Sequence, residues 1–563
     1  DERLWPVPSL DIKSSAAVLF VERAHTVAST VSLAEDGDAV AEISHRLDGI
    51  PLAIELAASR MQSMTTIELR DRLDDRFRLL VGSRRGLERH QTLRHAVQWS
   101  YDLLDDGEKN LLQGCSAFAG GFDLAGAAAV AGRGDDYTTL DLLDSLVRKS
   151  LLVADRSSER TRFSMLETVR QFAEEQLVVS GDADEVRTAH ARHFAGREPD
   201  VLALWDSPRQ REAYEWFTLE LPNLRAAFRW AADRNDLDTA VAIAFPAAFL
   251  GFWVEQFEPI AWVEELIEAA RTIDHKRLTH LYAMATQCYA AGRLDDALGY
   301  VNAGRLAIDS GRYAQVPYDF ESWLGGPYIW KGVPEQWLEL CRNMIAKGRD
   351  THYFAQANLV TALTFTGAGD DAIAASENLV AAADATDNPM VICYTLVAYG
   401  YARRDADPAA AYESFQRGLT IARDSGNRQI ESHLAGNVSI VSGSHGNAVD
   451  ALDNLSLAIR NHYDSGSFSL MLSPLVILAA TLDRLGHNEA AATISGFTAT
   501  PYTRASYIEM NILITNLREL LGDDTYEALA RTGKAMAPAA MATYAFEQID
   551  LARVKLEQVD KSP

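Results

Sequence analysis

The chain has 563 residues, of which 48% are hydrophobic and 23% are charged, a composition typical of a folded, helix-rich protein and not of a disordered one. Its 53 Lys and Arg against 79 Asp and Glu give a formal net charge of -26, which repels phosphate backbones and disfavours DNA binding by this segment alone. The length exceeds what one hydrophobic core supports and predicts about three or four domains.

The cysteines and the apolar runs bear on the cellular compartment. The four cysteines are far apart and form no Cys-x-x-Cys pair and no zinc-ligand cluster, so we expect reduced, packed thiols. No apolar run reaches the about 18 residues that cross a bilayer, and the first residues lack the pattern of a signal peptide. A cytoplasmic protein without a membrane partner is therefore expected. Because the chain begins at Asp1 and not at Met, we also expect a fragment whose upstream domain lies outside it.

A Gly-x-Pro joint interrupts a run of good helix formers in HRLDGIPLAIELAASR. Ser14-Ser15 predicts the cap of a first helix, and a second helix is expected from about Asp38 to the joint, because Gly49 tolerates the left-handed conformation at a helix end. Pro51 then opens a third helix, residues 52–61, in the first turn, where its missing N–H costs nothing. The apolar residues at helical spacing in the first two helices are Val18, Leu19, Val21, Ala24, Ala41, Ile43 and Leu47. On this pattern alone the joint is a plain connection between helices.

The stretch of residues 91–177 predicts a winged helix, in which three helices precede two strands joined by a polar turn. The predicted helices are 92–103, 106–118 and 139–149, and the predicted strands are 150–154 and 162–165. Winged helices often bind DNA, but the acidic balance of the chain argues against this, so a transcription factor would need a domain elsewhere or direct binding through the wing.

Three stretches taken in order resemble the STAND or NB-ARC class of regulatory ATPases. They are LFVERAHTV at 19–27, GIPLAIELAASR at 49–60 and RHQTLRHAVQWSYDLLDDGEKNLLQGCSAFAGGFDLAGAAAV at 89–130. The likeness is to the actinobacterial branch with AfsR-type and LuxR-linked regulators and with the ATPase parts of multidomain adenylyl cyclases. In that class the Gly-x-Pro joint lies in a small helical domain over the bound nucleotide, and its proline approaches the adenine. The resemblance implies that Gly49, Pro51 and Leu52 form such a nucleotide lid.

Two arginines are weaker candidates for nucleotide contact. Met165-Leu166-Glu167 occupies the place where many NB-ARC proteins have Met-His-Asp, so the resemblance implies that Leu166 replaces a phosphate-sensing histidine. Arg170, one helical turn further on, could supply charge there or could be held in a salt bridge. Arg94 belongs to a basic patch at residues 84–95, which either lies near the nucleotide or pairs with acidic helices.

Catalytic motifs are missing from the sequence. There is no Gly-x-x-x-x-Gly-Lys-Ser/Thr loop, and the single Gly-Lys pair, Gly533-Lys534, lacks the earlier glycine. There is no Gly-x-Ser-x-Gly elbow and no His-Glu-x-x-His pair, and a structural role is expected for His190 and His193. We therefore expect no catalysis by this chain, no metal, and ATP or ADP only together with an upstream phosphate-loop domain.

The second half of the chain repeats loosely with a period near 40 residues, each repeat setting a polar turn before an amphipathic helix centred on alanine. The aligned alanines are Ala297, Ala372, Ala411, Ala451 and Ala491, at steps of 75, 39, 40 and 40 residues. One weak repeat is expected between the first two, and such a period is typical of stacked helix pairs. The pattern resembles the tetratricopeptide (TPR) repeats of a MalT-like sensor arm. Aromatic residues are dense from Trp205 to Trp337 and predict either core packing or a ligand pocket.

The sequence thus predicts a mainly α fold, with a helical lid domain and a winged helix followed by a TPR-like α-solenoid. The expected domains are an ARC-like helical domain with an extended first segment at 1–85, the winged helix at 86–180, a helical connector at 181–275 and the repeats at 276–563.

The expected function is the signal-sensing portion of a STAND-type ATPase or transcriptional regulator that is not catalytic by itself. The resemblance implies an inducer protein or a small ligand on the repeat arm, self-assembly after nucleotide exchange, and DNA contact only through a domain outside this chain. The alternative is a TPR-like scaffold that binds proteins without nucleotide.

Overall fold

The fold is mainly α, as the sequence predicts. The computed structural model describes residues 10–11, 14–25, 33–47, 49–51, 54, 57–58, 61, 64–73, 97–131, 136–157, 160–445, 447–500, 503–504 and 507–560. The chain divides into two compact units, one of residues 1–193 with 225–230 and one of residues 194–224 with 231–563. Within the described part, no helix is long and apolar enough to span a bilayer.

The first unit begins with helices that share one apolar core. They are α1 (Ser15–His25), α2 (Leu33–Arg46) and α3 (Thr66–Arg72). Between α2 and α3, the described residues Pro51, Ile54, Ala57 and Ala58 are helical. The buried core consists of Ala16, Ala17, Phe20, Ala24, Val40, Ile43, Leu47, Ile54, Ala57, Ala58, Met61, Leu69 and Leu73.

Two details of these helices differ from the sequence prediction. Val18, one of the apolar residues at helical spacing in α1, is 46% exposed, because the small residues Ala16 and Ala17 together with Phe20 take the inner positions. The second helix begins at Leu33, ahead of the expected start at Asp38. The predicted inner residues Ile43 and Leu47 are buried, which confirms the helical period of α2 although the helix begins earlier than predicted.

The winged helix follows in the same unit, after a helical stretch at 97–102. Its elements are α4 (Asp106–Cys115), α5 (Leu124–Ala131), α6 (Asp136–Arg148), β1 (Val153–Asp155), β2 (Arg162–Ser164) and α7 (Glu167–Ser180). The strands β1 and β2 are antiparallel, with Ala154 opposite Phe163. Phe122 forms an additional antiparallel bridge to Phe163.

Some boundaries of the winged helix differ from the prediction. The helix expected to reach residue 118 ends at Cys115. The first strand begins at Val153 and not at Ser150, because Ser150 takes a left-handed conformation with a φ of +59° just after α6. Helix α5 was not predicted, since LAGAAAVA has no polar face to reveal a helical period.

The helices that connect the winged helix to the repeats are α8 (Ala183–Gly196), α9 (Glu198–Trp205), α10 (Gln210–Asp233), α11 (Leu237–Trp253) and α12 (Glu258–Thr272). The division into two units falls within α8, after residue 193, and α10 contributes residues to both. In the second unit, α11 is buried from Ala240 to Trp253 apart from the half-buried Ala242. Trp205 and Phe249 pack edge to face, so α9 and α11 share an aromatic core.

The repeats form six helix pairs in the described part of the second unit. The first helices of the pairs are α13 (Leu278–Ala285, continued by the 3-10 helix Thr286–Ala291), α15 (Gly326–Lys331, preceded by the 3-10 helix Pro317–Gly325), α17 (Phe354–Phe365), α20 (Pro389–Arg403), α22 (Arg428–His445) and α24 (Leu472–Arg484). The second helices are α14 (Leu294–Asp309), α16 (Pro334–Ala346), α18 (Gly369–Ser376) with α19 (Leu379–Asp384), α21 (Pro408–Ser425), α23 (Ala448–Asp464) and α25 (Asn488–Thr498). The chain continues with α26 (Ile508–Leu521), α27 (Asp523–Ala535) and α28 (Pro538–Asp560).

The alanines used to find the repeat all stand at the fourth residue of the second helix of a pair. Ala297, Ala372, Ala411, Ala451 and Ala491 are each fully buried. A methyl group at this position lets the two helices of a pair approach closely. The period read from the sequence is therefore the period of one packing contact.

The weak repeat expected between the first two alanines is the pair α15 and α16. Trp337 takes the place of the alanine, at the fourth residue of α16, and its indole N–H donates to the Ser322 carbonyl oxygen at 3.0 Å. A Cβ built on Gly325 would overlap that indole. The glycine on the facing segment thus makes room for a large residue in the seam. Because tryptophan replaces the alanine, an alignment on alanine does not detect this repeat.

Candidate functional site

The Gly-x-Pro joint has a backbone reason for its glycine. Gly49 has a φ of +63°, and a Cβ at this position would overlap the backbone of Leu10. The Leu10 N–H donates to the Gly49 carbonyl oxygen at 3.0 Å. The segment that contains Leu10 therefore passes directly against the joint, and only glycine combines this conformation with this approach.

Pro51 stands at the start of the helix that follows the joint. Its side chain is exposed, while Ile54, one turn later, is buried in the core and its N–H donates to the Ile50 carbonyl oxygen at 3.0 Å. The proline ring is thus presented at the surface of the described residues and is not enclosed in the core.

Arg170 lies in α7, inside the winged helix. Its guanidinium donates to both carboxylate oxygens of Glu167 at 2.7 Å and to Glu174 at 3.1 Å. The hydrogen bonds to Glu167 are the largest cause that raises the pKa of Arg170, and burial opposes them. Two carboxylates thus neutralise this arginine, which is the salt-bridged arrangement that the sequence left open.

The remaining predicted contacts can be placed only in part. Leu166 is the cap residue of α7 and makes no side-chain cap hydrogen bond. Leu52, Arg94 and the rest of the basic patch at 84–95 lie outside the described residues.

The outer surface of the winged helix is acidic along α6. In DNA-binding members of this motif the second helix of the helix-turn-helix enters the major groove, and here that helix is α6. It carries three aspartates, Asp136, Asp141 and Asp144, and one arginine, Arg148. All four are exposed, and Arg148 pairs with Asp144 at 2.6 Å. A helix of this charge repels DNA phosphates.

A buried carboxylate fixes α6 against α4. Glu108 is 3% exposed and accepts from the Lys149 ammonium at 2.5 and 2.6 Å and from the Ser145 hydroxyl at 2.6 Å. Burial opposes ionisation of Glu108, but the hydrogen bonds from Lys149 and Ser145 outweigh it, so that its pKa is lowered. Sequence reasoning missed this contact, because its partners are 37 and 41 residues away and no local pattern joins them.

The connector is tied to the repeats by polar contacts. Asp206, just after α9, accepts from the Asn388 amide at 2.8 Å and lies 3.2 Å from the His352 Nε2. Arg211 in α10 donates to the carbonyl oxygens of Arg423 and Asp424 at 2.7 Å. These contacts fix the start of α10 to the repeats within the second unit.

A cavity opens among the repeats. Its volume is about 130 Å3. Its aromatic lining consists of Tyr289, Trp323, Trp330, Trp337, Phe365, Tyr394, Tyr401 and Tyr507. Its polar lining includes Gln429, Ser432, His433, Asn437 and His462. No Lys, Arg, Asp or Glu is among the described residues that line it.

The aromatic cluster of the sequence thus divides between the two predicted roles. Trp205, Phe217 and Trp253 are fully buried core residues, whereas Trp323, Trp330 and Trp337 line the cavity. The density of aromatic residues along the sequence does not distinguish the core residues from the cavity residues, because both groups lie on helices of similar composition.

Other residues singled out in the sequence have structural roles. The four cysteines are free and buried. His190 is buried against Phe118, with 4.8 Å between ring centroids, and no group of three or more metal-ligating side chains occurs among the described residues. Gly533 packs against Thr493, where a Cβ would overlap the backbone, so the Gly-Lys pair is part of a helix contact in α27.

Comparisons with known proteins agree with parts of this description. Residues 104–178 match the family model of a winged helix-turn-helix domain. Proteins of Mycobacterium tuberculosis and Mycobacterium bovis described as "Putative HTH-type transcriptional regulator" are 39% identical over 302 residues, which is 53% of this chain and 33% of theirs. Uncharacterised proteins of the same organisms are 43% identical over 198 residues, 34% of this chain and 50% of theirs. The chain thus matches a third to a half of the length of these relatives.

A solved structure gives a weaker likeness. A Signal Transduction ATPase with Numerous Domains protein with a tetratricopeptide repeat sensor, from Pyrococcus horikoshii, is 14% identical with a TM-score of 0.42, over 97% of this chain and 75% of that one. A TM-score of this size does not establish a shared fold.

Proposed function

We propose that this chain is the regulatory, signal-sensing portion of a STAND-type cytoplasmic regulator and is not catalytic by itself. The helices at the Gly-x-Pro joint form the lid over ATP or ADP, the winged helix transmits the state of the switch, and the repeats receive the signal. A phosphate-loop domain outside this chain supplies the phosphate contacts, and nucleotide exchange permits self-assembly.

The observation that carries the proposal is the joint itself. Pro51 is exposed at the start of a helix in which Ile54, one turn later, is buried, and Gly49 is held in a left-handed conformation by the close approach of Leu10. A rigid ring on a fixed backbone presents an apolar face for a base with little loss of conformational entropy on binding.

The acidic α6 supports a regulatory role for the winged helix in place of DNA reading. Its exposed aspartates favour a basic protein surface, such as an arginine-bearing segment of the same switch. DNA contact is then left to a domain outside this chain.

A nucleotide titration tests the proposal against the scaffold alternative. A fluorescent ADP analogue is titrated into this chain and into the full-length protein, and the anisotropy is followed. We expect no binding to this chain and micromolar or tighter binding to the full-length protein. If the full-length protein binds no nucleotide, the lid proposal is wrong and a scaffold that binds proteins through its repeats is the better account.

A further inference from the structure

We propose that the cavity among the repeats binds a neutral, ring-containing small molecule with few polar atoms. This inference deepens the proposed function. Only the signalling role of the bound molecule rests on that proposed function, because binding to the cavity can be tested by itself. The cavity lies wholly in the second unit, mainly between the 3-10 helices and the first helices of the repeat pairs.

The absence of charge in the described lining excludes most anionic ligands. A nucleotide or a dicarboxylate would have to leave its charge without a counter-charge in an apolar cavity, which is strongly unfavourable. His433 adds no positive charge near pH 7, because burial, together with the nearby His462, lowers its pKa to about 4. His462 lies 3.0 Å from the buried carboxylate of Glu255, which balances any charge on the imidazole.

The polar side chains of the lining are largely occupied by the protein. The Tyr401 hydroxyl lies 2.9 Å from the His433 Nε2, and the Tyr394 hydroxyl donates to Asn358 at 2.5 Å. Ser432 donates to a backbone carbonyl oxygen at 2.9 Å. A ligand rich in hydroxyl groups, such as an oligosaccharide, would therefore leave most of its own polar groups without partners.

Apart from the His462 and Glu255 pair, two buried polar atoms of the described lining residues have no hydrogen-bond partner. They are the indole nitrogen of Trp323, a donor, and the amide oxygen of Gln429, an acceptor. Buried polar atoms are normally satisfied, so a ligand with one acceptor and one donor would complete them. The aromatic side chains, among them Trp323 and Tyr394 with ring centroids 4.6 Å apart, supply stacking surfaces for a planar ring.

The probe is N-phenyl-1-naphthylamine, a neutral molecule with two aromatic systems and one N–H donor. Its fluorescence rises in an apolar site, so its affinity for the purified chain can be measured by titration. The matched anionic probe is 1-anilinonaphthalene-8-sulfonate, which has the same rings and one sulfonate. We expect the neutral probe to bind. We expect the affinity of the sulfonate, measured by displacement of the neutral probe, to be at least tenfold lower.

Two variants locate the site. Gly436 lines the cavity, and a Cβ there would make only ordinary contact with Ile477 at 3.4 Å, so Gly436→Leu should fill the cavity and weaken probe binding at least tenfold. Gly299→Leu is the control, because this glycine is in helix α14 and has no atom within 4 Å of a built Cβ. Gln429→Met removes the acceptor with little change of shape and should weaken binding about threefold to tenfold.

Four results would overturn the inference. The first is that both Gly436→Leu and Gln429→Met leave probe binding unchanged, and the second is that the sulfonate binds as tightly as the neutral probe. The third is displacement of the probe by a neutral trisaccharide such as raffinose. The fourth is displacement by benzyltrimethylammonium, which would mark a site for cations. If the probe binds as expected but does not alter nucleotide affinity in the full-length protein, the cavity stands and its sensing role falls. If the probe does not bind to wild type, the inference falls and the nucleotide titration still tests the proposed function.

Discussion

The winged helix and the repeat array are built from similar helices but differ in how charge is used. Both regions bury carboxylates, Glu108 in the winged helix and Glu321 in the repeats, but the winged helix also exposes an acidic surface on α6. The repeats bury alanines in their seams and enclose a cavity whose described lining carries no Lys, Arg, Asp or Glu. The comparison indicates that the first region is suited to protein contacts governed by charge and the second to a neutral ligand governed by shape.

The largest expected effect is a loss of stability in acid that is greater in the second unit. Burial lowers the pKa of His190 to about 3, of His280 to about 3 and of His433 to about 4. Because each folded pKa lies below the unfolded value of about 6.5, the unfolded chain takes up protons first, and stability is lost as the pH falls below about 6.5. Each histidine should lower the free energy of unfolding by up to about 1.4 kcal/mol for each unit by which the pH falls in this range.

Hydrogen exchange at about pH 7 and about pH 5 can separate the two units. The second unit contains His280 and His433 and the first contains His190, so the second should lose more. His280→Phe should about halve the pH dependence of the second unit, since Phe can keep the edge contact with Phe245. An unchanged pH dependence in this variant would contradict the assignment. The exposed His45 provides the control His45→Phe.

Removal of the counter-charge in the winged helix should be the next largest effect. Lys149→Met leaves the Glu108 carboxylate buried without its cation, which should lower the free energy of unfolding by about 3 kcal/mol. Arg148→Met, in the neighbouring residue, breaks only an exposed pair with Asp144 and should cost less than about 1 kcal/mol. Chemical denaturation measures both. Equal losses in the two variants would show that Glu108 is not held by Lys149.

A larger residue in a repeat seam should have a smaller effect. Ala411 is fully buried in α21, whereas Ala409 in the same helix is exposed. Ala411→Leu should destabilise the second unit by about 2 kcal/mol through overpacking, and Ala409→Leu should change stability by less than about 0.5 kcal/mol. Thermal unfolding of both variants checks this. A tolerated leucine at 411 would mean that the alanine period does not reflect close helix contact.

The smallest expected effect concerns DNA. A labelled mixed-sequence duplex should show no change in anisotropy with this chain at about 0.1 M salt, because α6 presents aspartates to the solvent. Reversal of the three charges in Asp136→Lys, Asp141→Lys and Asp144→Lys together should create salt-dependent binding. Tight binding by the wild-type chain would refute the interpretation of the winged helix as a protein-contacting element.

Sequence reasoning predicts best where a contact recurs. The seam alanines Ala297, Ala372, Ala411, Ala451 and Ala491 repeat one contact, so their spacing predicted the helix pairs. The pair with Trp337 was expected only as a weak repeat, because its compensation lies in Gly325, outside any period. The joint at Gly49 was located from local chemistry, but the reason for its glycine, the approach of Leu10, is a contact between residues far apart in sequence.

The candidate site was predicted less completely than the fold. Arg170 was named with its salt-bridged alternative, and the structure places it between Glu167 and Glu174. The cavity polar groups Gln429 and His433 were not named, since a single polar residue on a helix carries no sign of the neighbouring helices that bury it.

The most direct test of the central claim is the role of Pro51 as a nucleotide lid. Pro51→Ala in the full-length protein should weaken binding of a fluorescent ADP analogue about tenfold through faster release. Pro408→Ala, at the start of α21 in the repeats, removes a proline from the same helix position and should leave the affinity unchanged. Equal affinities of wild type and Pro51→Ala would contradict the account.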